Sequence, residues 1–425
     1  MKEVSLMKEY HINGGNKIYG EVKINGGKNA ILPILASTVL NAETSIIHNC
    51  PKISDTYIAL DILREVGCKV SMEGNTIIVD SSGADECNVP DQLVREMRSS
   101  IIFLGSMLGR FKKVRIGYPG GCELGARPID LHLKGLRQLG AEIVEEHGFL
   151  ICTAEKLVGA RTNLDFPSVG ATENIMLAAV FAQGQSIISN AAKEPEIVDL
   201  QNFLNGMGAK IRGAGTDTIY VEGVSRLHET EYSVMPDRIV AGTFLVAAAM
   251  TKGEIVVRNV VPQDLVSVSS KLIECGCTLK EEKDAIYLKA PERIMAVRRI
   301  QTHPHPGFPT DMQPQFMAML SLAQGTSTLH ETVFESRTKH MSEFSRMGAD
   351  IILSPDGMTA IINGVKKLNG TEVVSKDLRG GAALILAGLA AEGKTIVTGT
   401  QYVERGYESI EKTLALLGAD IKYIH

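Results

Sequence analysis

Tryptophan, low-complexity stretches and long runs of like charge are all missing from this chain of 425 residues. It therefore carries no compositional signature of a disordered tail or linker. A basic excess is missing too. There are 44 Lys and Arg against 49 Asp and Glu, a net charge of −5, which argues against a nucleic-acid partner. The longest apolar runs reach only about half of the roughly twenty residues that a membrane span needs, so no span is expected. The start, Met1-Lys-Glu-Val-Ser-Leu-Met-Lys-Glu9, has no apolar signal region. Seven cysteines, odd in number and without paired spacing, read as reduced thiols, and the expected location is cytoplasmic. A Walker A pattern is absent, Gly213-Ala-Gly215 lacks the third glycine of a dinucleotide fingerprint, and His303-Pro-His305 has no Cys or carboxylate cluster near it. No metal and no organic cofactor is expected.

What is present, at 44% hydrophobic residues and 41 glycines, is a compact globular composition with many tight turns. The chain is organised by a sixfold repeat whose marker is a short amphipathic helix ending in Gly and followed by a strand. The first copy reads Leu63-Arg-Glu-Val-Gly67-Cys-Lys-Val70, and the last reads Leu414-Ala-Leu-Leu-Gly418-Ala-Asp-Ile421. The marker glycines Gly67, Gly140, Gly208, Gly276, Gly348 and Gly418 are spaced by 73, 68, 68, 72 and 70 residues. Each copy has the same order: a helix rich in small apolar residues (30–40, 173–183, 243–250 and 382–391 in four copies), a strand, the marker helix and a β-hairpin. This predicts an α/β fold of six βαβαββ-like units. Several of the first helices are apolar on every face, which in a protein without membrane spans means enclosure by sheets.

The sixth copy ends one strand early. Ile12-Asn-Gly-Gly-Asn-Lys17-Ile18-Tyr-Gly20 matches Ile362-Asn-Gly-Val-Lys-Lys367-Leu368-Asn-Gly370 in register, so the N-terminal segment is expected to complete that copy. Two domains follow: residues 28–235 with the first three copies, and residues 1–27 with 236–425 for the others.

Just before the first helix of each copy stand Lys28, Arg98, Gly170 of the Ser168-Val169-Gly170 turn, Arg238, Asp311 and Arg379, spaced by 70, 72, 68, 73 and 68 residues. Helix N-termini expose unpaired N–H groups and the positive end of a dipole, which suits phosphates and carboxylates. Six such ends, four of them with Lys or Arg, are expected to face one cleft. A second unusual segment is Tyr118-Pro-Gly-Gly-Cys122-Glu-Leu-Gly125-Ala-Arg127-Pro128-Ile129-Asp130-Leu131-His132. Its glycines predict a mobile loop, and Arg127 near Cys122 favours the thiolate. Cys50, Cys68, Cys152, Cys275 and Cys277 read instead as small hydrophobes.

These segments, together with Lys28-Asn29, Ser168-Val-Gly-Ala-Thr172, Pro306-Gly-Phe-Pro-Thr-Asp311, Val333-Phe-Glu-Ser-Arg337, Asp377-Leu-Arg379 and Arg405-Gly-Tyr-Glu408, resemble the UDP-N-acetylglucosamine 1-carboxyvinyltransferase family from end to end. The resemblance implies the two-domain inside-out α/β barrel of the enolpyruvyl transferases. It also implies transfer of enolpyruvyl from phosphoenolpyruvate to the 3′-hydroxyl of UDP-N-acetylglucosamine, an early step toward peptidoglycan. By the same resemblance, Lys28, Arg127 and Arg405 are the cations for phosphoenolpyruvate. Asp311 is the candidate base at the sugar hydroxyl. Cys122 is the candidate acid to C3 and the thiol open to a phosphonate epoxide, and Asp377 shares in proton transfer or positioning. Asn29 is assigned to the sugar and Arg98 to the pyrophosphate region. The segment Arg127, Pro128, Ile129, Asp130, Leu131, His132 and the turn Ser168, Val169, Gly170 belong to the uridine diphosphate side, with Val333, Arg337 and Arg379 also in the substrate set. One departure is Phe166, where relatives carry a Lys near the diphosphate. Arg379-Gly380-Gly381 opens its helix with two glycines and reads as a hinge. The alternatives are the sister transferase acting on shikimate 3-phosphate and a non-catalytic sensor of the nucleotide sugar, the latter disfavoured because Lys28, Cys122, Asp311, Asp377 and Arg405 are all present.

Overall fold

The computed structural model describes residues 8–118, 129–335 and 337–424. Six four-stranded sheets share one pattern: a parallel edge strand, a central strand, then two antiparallel strands. In the first copy, Thr44–His48 pairs parallel with Thr230–Ser233 and antiparallel with Thr76–Asp80, which in turn pairs with Lys69–Glu73. The central strand alternates buried Ser45 and Ile47 with more accessible neighbours, the period-2 signature of a sheet with one covered face. The outer strand Lys69–Glu73 has no buried residue, and its charged ends blunt the exposed edge.

The marker glycines explain why each copy turns where it does. All six adopt positive φ, between 94° and 99°. The following N–H bonds back to the carbonyl five residues earlier, from Cys68 to Leu63 at 2.9 Å in the first copy and from Ala419 to Leu414 at 3.0 Å in the last. This Schellman closure satisfies orphan helix carbonyls and needs a residue without a Cβ at the left-handed position.

Residues 26–118 with 129–235 form one compact unit, and residues 8–25 with 236–424 form another. Gly26 and Gly27 go with the first, since their N–H groups bond Asn49 and Met235 at 3.0 and 2.8 Å. In that unit the strand after the third copy, Thr230–Ser233, supplies the edge of the first sheet. In the other unit, Glu9–Asn13 lies between Lys394–Thr398 and Asp420–Ile424 and is the strand missing from the sixth copy. Tyr19–Lys23 then supplies the edge beside Glu254–Arg258.

Each unit has its own hydrophobic core. The helices Lys28–Ser37, Phe103–Phe111 and Val169–Ala179 are buried along most of their length in one, and Arg238–Met250, Gln313–Leu320 and Leu378–Ala390 in the other. They approach closely: a Cβ on Gly105 would lie 2.3 Å from the Asn174 carbonyl oxygen. Among the described residues no helix is long and apolar enough to cross a membrane.

Candidate functional site

The six equivalent positions lie inside the first helical turns rather than before them. The caps are Gly27, Met97, Ser168, Asp237, Pro309 and Asp377, each one or two residues upstream. Polar first turns such as Lys28-Asn29 hide the true start, because the apolar periodicity begins only at Ala30. Three caps are occupied by their own side chains: Ser168 accepts from Ala171 N at 3.3 Å, Asp237 from Ile239 N at 2.8 Å, and Asp377 from Gly380 N at 2.7 Å.

In the unit of residues 26–235, Lys28 is buried and its Nζ lies 2.6 Å from Oδ2 of Asp55, whose side chain is wholly inaccessible. Asp55 lies in the first turn of the helix Ser54–Glu65 and in sequence passes for an ordinary acid at a helix start. Burial makes the pair interdependent: removing one partner leaves an uncompensated charge in the interior. Asp55→Ala is expected to destabilise this unit by about 3–5 kcal/mol, read as a lower denaturant midpoint. A midpoint equal to that of the native chain would rule out the pair as a structural tie. Asn29, the next residue, is exposed.

His132 is buried at the start of the helix Asp130–Gln138, with Ile129 buried beside it, Asp130 exposed and Leu131 half-buried. Asn174 Oδ1 accepts from Gly105 N at 2.6 Å and its Nδ2 donates to the Ile101 carbonyl at 3.0 Å, which fixes the amide orientation. The same Nδ2 sits 2.7 Å from His132 Nδ1, so that nitrogen accepts and Nε2 carries the proton. The ring faces the Ser168 turn: a Cβ on Gly170 would come within 2.9 Å of its Cε1 and 3.2 Å of its Nε2. Gly170 is thus needed for room, and Val169 and Ser168 remain partly accessible.

Burial, with Arg98 adding repulsion, pushes His132 down to about 4. His340, wholly buried in the other unit, is also pushed down to about 4 by burial, with Arg337 adding to the effect and Asp377 opposing it. An unfolded histidine titrates near 6.5. Between these values the unfolded chain binds more protons, so stability falls as pH drops from about 6.5 toward 4, each ring removing up to about 3 kcal/mol. The unfolding midpoint should therefore decline already between pH 6.5 and 5, before most carboxylates titrate. A flat midpoint across that interval is the contrary result.

In the unit of residues 236–424, Asp311 is gripped from two sides. Arg337 Nη2 lies 2.8 Å from Oδ1, and Arg379 reaches Oδ2 through Nη2 at 3.1 Å and Nε at 3.2 Å. The arginine side chains are 3% and 2% accessible while that of Asp311 is 24%, so the carboxylate is the open member of a buried trio. Two guanidiniums favour its charged form. Arg379 packs over the Tyr407 ring at 5.4 Å, and the Tyr407 hydroxyl is 2.9 Å from Thr243 Oγ1. Burial acts to lower the Arg379 guanidinium, but Tyr407, Asp311 and Asp237 more than offset it and hold it above its ordinary value. Glu331 bonds the N–H groups of Val333 and Phe334 at 2.8 and 3.2 Å, fixing the segment that carries Val333.

Asp377 is buried at its cap. The two glycines after Arg379 do not make a hinge. They sit in the continuous helix Leu378–Ala390, where a Cβ on Gly380 would be 2.5 Å from Asp377 Oδ2 and one on Gly381 would be 2.2 Å from Ser375 Oγ. Close packing, not flexibility, selects glycine there. Arg405 is half-buried, and Phe166 is exposed. Cys122, Arg127 and Pro128 lie outside the described residues. Among the described residues no cluster of His, Cys, Asp and Glu is arranged to hold a metal ion.

Comparison with known proteins agrees with this architecture. The family model for EPSP synthase (3-phosphoshikimate 1-carboxyvinyltransferase) matches residues 12–414. A UDP-N-acetylglucosamine 1-carboxyvinyltransferase 2 from Caldanaerobacter subterraneus subsp. tengcongensis is 54% identical over 98% of this chain and 99% of its own. A UDP-N-acetylglucosamine 1-carboxyvinyltransferase 1 from Carboxydothermus hydrogenoformans is 48% identical over 99% of each. Among solved structures, the enolpyruvyl transferase NikO from Streptomyces tendae superposes with a TM-score of 0.88 at 23% identity, covering 98% of this chain and 99% of that one. An EPSP synthase from Acinetobacter baumannii gives 0.76 at 21% identity, covering 98% and 100%. The structural likenesses show the fold, the inside-out α/β barrel of the enolpyruvyl transferases. The near-complete sequence matches go further, and the chain belongs to the EPSP synthase family of enolpyruvyl transferases, on its UDP-N-acetylglucosamine 1-carboxyvinyltransferase branch.

Proposed function

We propose that the chain transfers the enolpyruvyl group of phosphoenolpyruvate to the 3′-hydroxyl of UDP-N-acetylglucosamine, releasing phosphate. The observation that carries this reading is the open carboxylate of Asp311 between two buried arginines, set in a chain about half identical to relatives named for this reaction. The hydroxyl oxygen attacks C2 and loses its proton while C3 gains one. Elimination of phosphate from the resulting adduct, with loss of a proton from C3, restores the double bond. Asp311 orients the hydroxyl and stabilises the positive charge that develops on it as the O–C2 bond forms, taking its proton as base. Lys28, held by Asp55, is a point charge for phosphate, and Arg127 and Arg405 are suited to bidentate contact with phosphate or carboxylate. Cys122 supplies the proton to C3, and Asp377 positions the reacting carbon from its cap at the Leu378–Ala390 helix.

On the nucleotide side, the His132 Nε2–H donor and the N–H groups of the Ser168 turn suit the uridine diphosphate, with Arg98 near the pyrophosphate and Asn29 at the sugar. Phosphate is itself the leaving group, so acid, base and cations suffice for the chemistry. A cytoplasmic location belongs to the same reading and rests on the free cysteines of the described residues. The test is phosphate release from phosphoenolpyruvate, with UDP-N-acetylglucosamine compared against shikimate 3-phosphate. Release with the nucleotide sugar alone is expected. Release with shikimate 3-phosphate alone would move the chain to the sister activity, and none with either would favour a sensor.

A further inference from the structure

We infer that Thr310 and Glu331 are positioning residues for Asp311, acting through the hydrogen-bonded guanidinium of Arg337. Arg337 Nη1 donates to Thr310 Oγ1 at 2.7 Å while Nη2 of the same group donates to Asp311 Oδ1 at 2.8 Å. A guanidinium can only donate, so the Thr310 oxygen is the acceptor and its single proton must go elsewhere. It goes to Glu331 Oε2, 2.8 Å away. The donor and the acceptor of each link in the chain Glu331–Thr310–Arg337–Asp311 are thereby assigned.

The far end is anchored. Glu331 is 1% exposed, and its Oε1 accepts from Thr302 Oγ1 at 2.7 Å as well as from the N–H groups of Val333 and Phe334. Thr302 Oγ1 in turn accepts from Thr332 N at 2.8 Å, which directs its proton to Glu331 in the same way. The Phe334 ring lies 5.3 Å from the Arg337 guanidinium, and the Arg337 carbonyl accepts from Gln313 Nε2 at 3.3 Å. A long side chain with several rotatable bonds is thus reduced to one pose at the carboxylate that Arg379 holds from the other side. Buried hydrogen-bonded chains of this kind restrict geometry, and errors near 1 Å at a reacting centre can cost about a hundredfold in rate.

The inference rests on the reading that Asp311 acts on the sugar hydroxyl, and the experiment separates the two. Thr310→Val keeps the shape but removes the hydroxyl, leaving the Glu331 bonds to Val333 and Phe334 in place. It is expected to lower kcat about 10- to 100-fold with KM for UDP-N-acetylglucosamine within threefold, and Thr310→Ser, which restores the hydroxyl, is expected to recover most of the loss. In an Asp311→Asn background, Thr310→Val should add no further loss. A folded Thr310→Val at native kcat, or equal losses in the Val and Ser variants, overturns the relay. If Thr310→Val does not fold, Glu331→Gln takes its place: one oxygen remains for the backbone clasp, but the amide cannot accept from Thr310, and native kcat there overturns the relay. Native turnover in Asp311→Asn overturns the Asp311 reading instead, and with it the reason for a relay.

Discussion

Asp311→Asn is expected to cut phosphate release by about a hundred- to ten-thousand-fold, the range for losing a positioned acid–base group. Nucleotide-sugar binding should largely survive, because the contacts proposed for the diphosphate are made by residues other than Asp311. The amide keeps the size of the carboxylate but presents half as many acceptor sites and no charge. Arg337 and Arg379, at 3% and 2% side-chain accessibility, would then face each other across a neutral group. Breaking a buried charge arrangement by removing one member costs about 3–5 kcal/mol, so a lower unfolding temperature should accompany the kinetic loss. The two effects are separable: turnover is measured on protein shown to be folded, and titration calorimetry with UDP-N-acetylglucosamine reports binding independently. Near-native turnover would remove Asp311 from the mechanism, whereas lost binding with lost turnover would make it a substrate ligand rather than a group that acts in the reaction.

The repeat was readable because its signals are local. A glycine at the end of a four-residue apolar stripe needs positive φ and a Schellman bond within the same turn, and all six copies have both. Strand alternation and the apolar first helices are local as well. Residues 12–20 align with 362–370 because equivalent hairpin strands carry equivalent inward positions, Ile12 and Ile362 both being fully buried.

The contacts around Asp311 were not legible in the sequence. Arg337 and Arg379 are 26 and 68 residues from Asp311. Nothing in the local pattern says that both reach the same carboxylate. Glu331 is still less visible, since its partners Thr302 and Thr310 lie 29 and 21 residues upstream and each looks like an ordinary surface threonine in sequence. Asp55 and Asn174 are hidden for the same reason, a polar residue within a helix being solvated far more often than it is a buried tie. The glycine pair after Arg379 misled in the opposite direction. Flexibility is the intrinsic property of glycine, but the space that Asp377 and Ser375 leave is the reason for it here.

Cys122 is expected to be the one cysteine of seven that a compact phosphonate epoxide such as fosfomycin alkylates. Burial pushes the thiols of Cys50, Cys68, Cys152, Cys275 and Cys277 up to about 12, which leaves almost no thiolate at neutral pH. Cys87 is partly accessible, yet burial raises it too, with Glu86 and Asp85 adding to the rise and Lys113 opposing it. Cys122 alone has a glycine-rich sequence context and an arginine five residues on to favour the anion. Alkylation forms a carbon–sulfur bond as an epoxide carbon–oxygen bond opens, and the alkoxide takes a proton. It needs the thiolate and a cationic seat for the phosphonate, the seat assigned above to the phosphate of phosphoenolpyruvate. Cys122→Asp keeps a proton donor but offers a poor nucleophile, so it should remain active and resist the epoxide. Cys122→Ala should lose about a hundredfold or more in turnover if the residue is the acid to C3. Peptide mass mapping distinguishes the thiols, and Cys87 is the informative competitor. A label on Cys87, or inhibition that persists in Cys122→Asp, would mean that accessibility rather than thiolate character governs the reaction, and the assignment of Cys122 would fall.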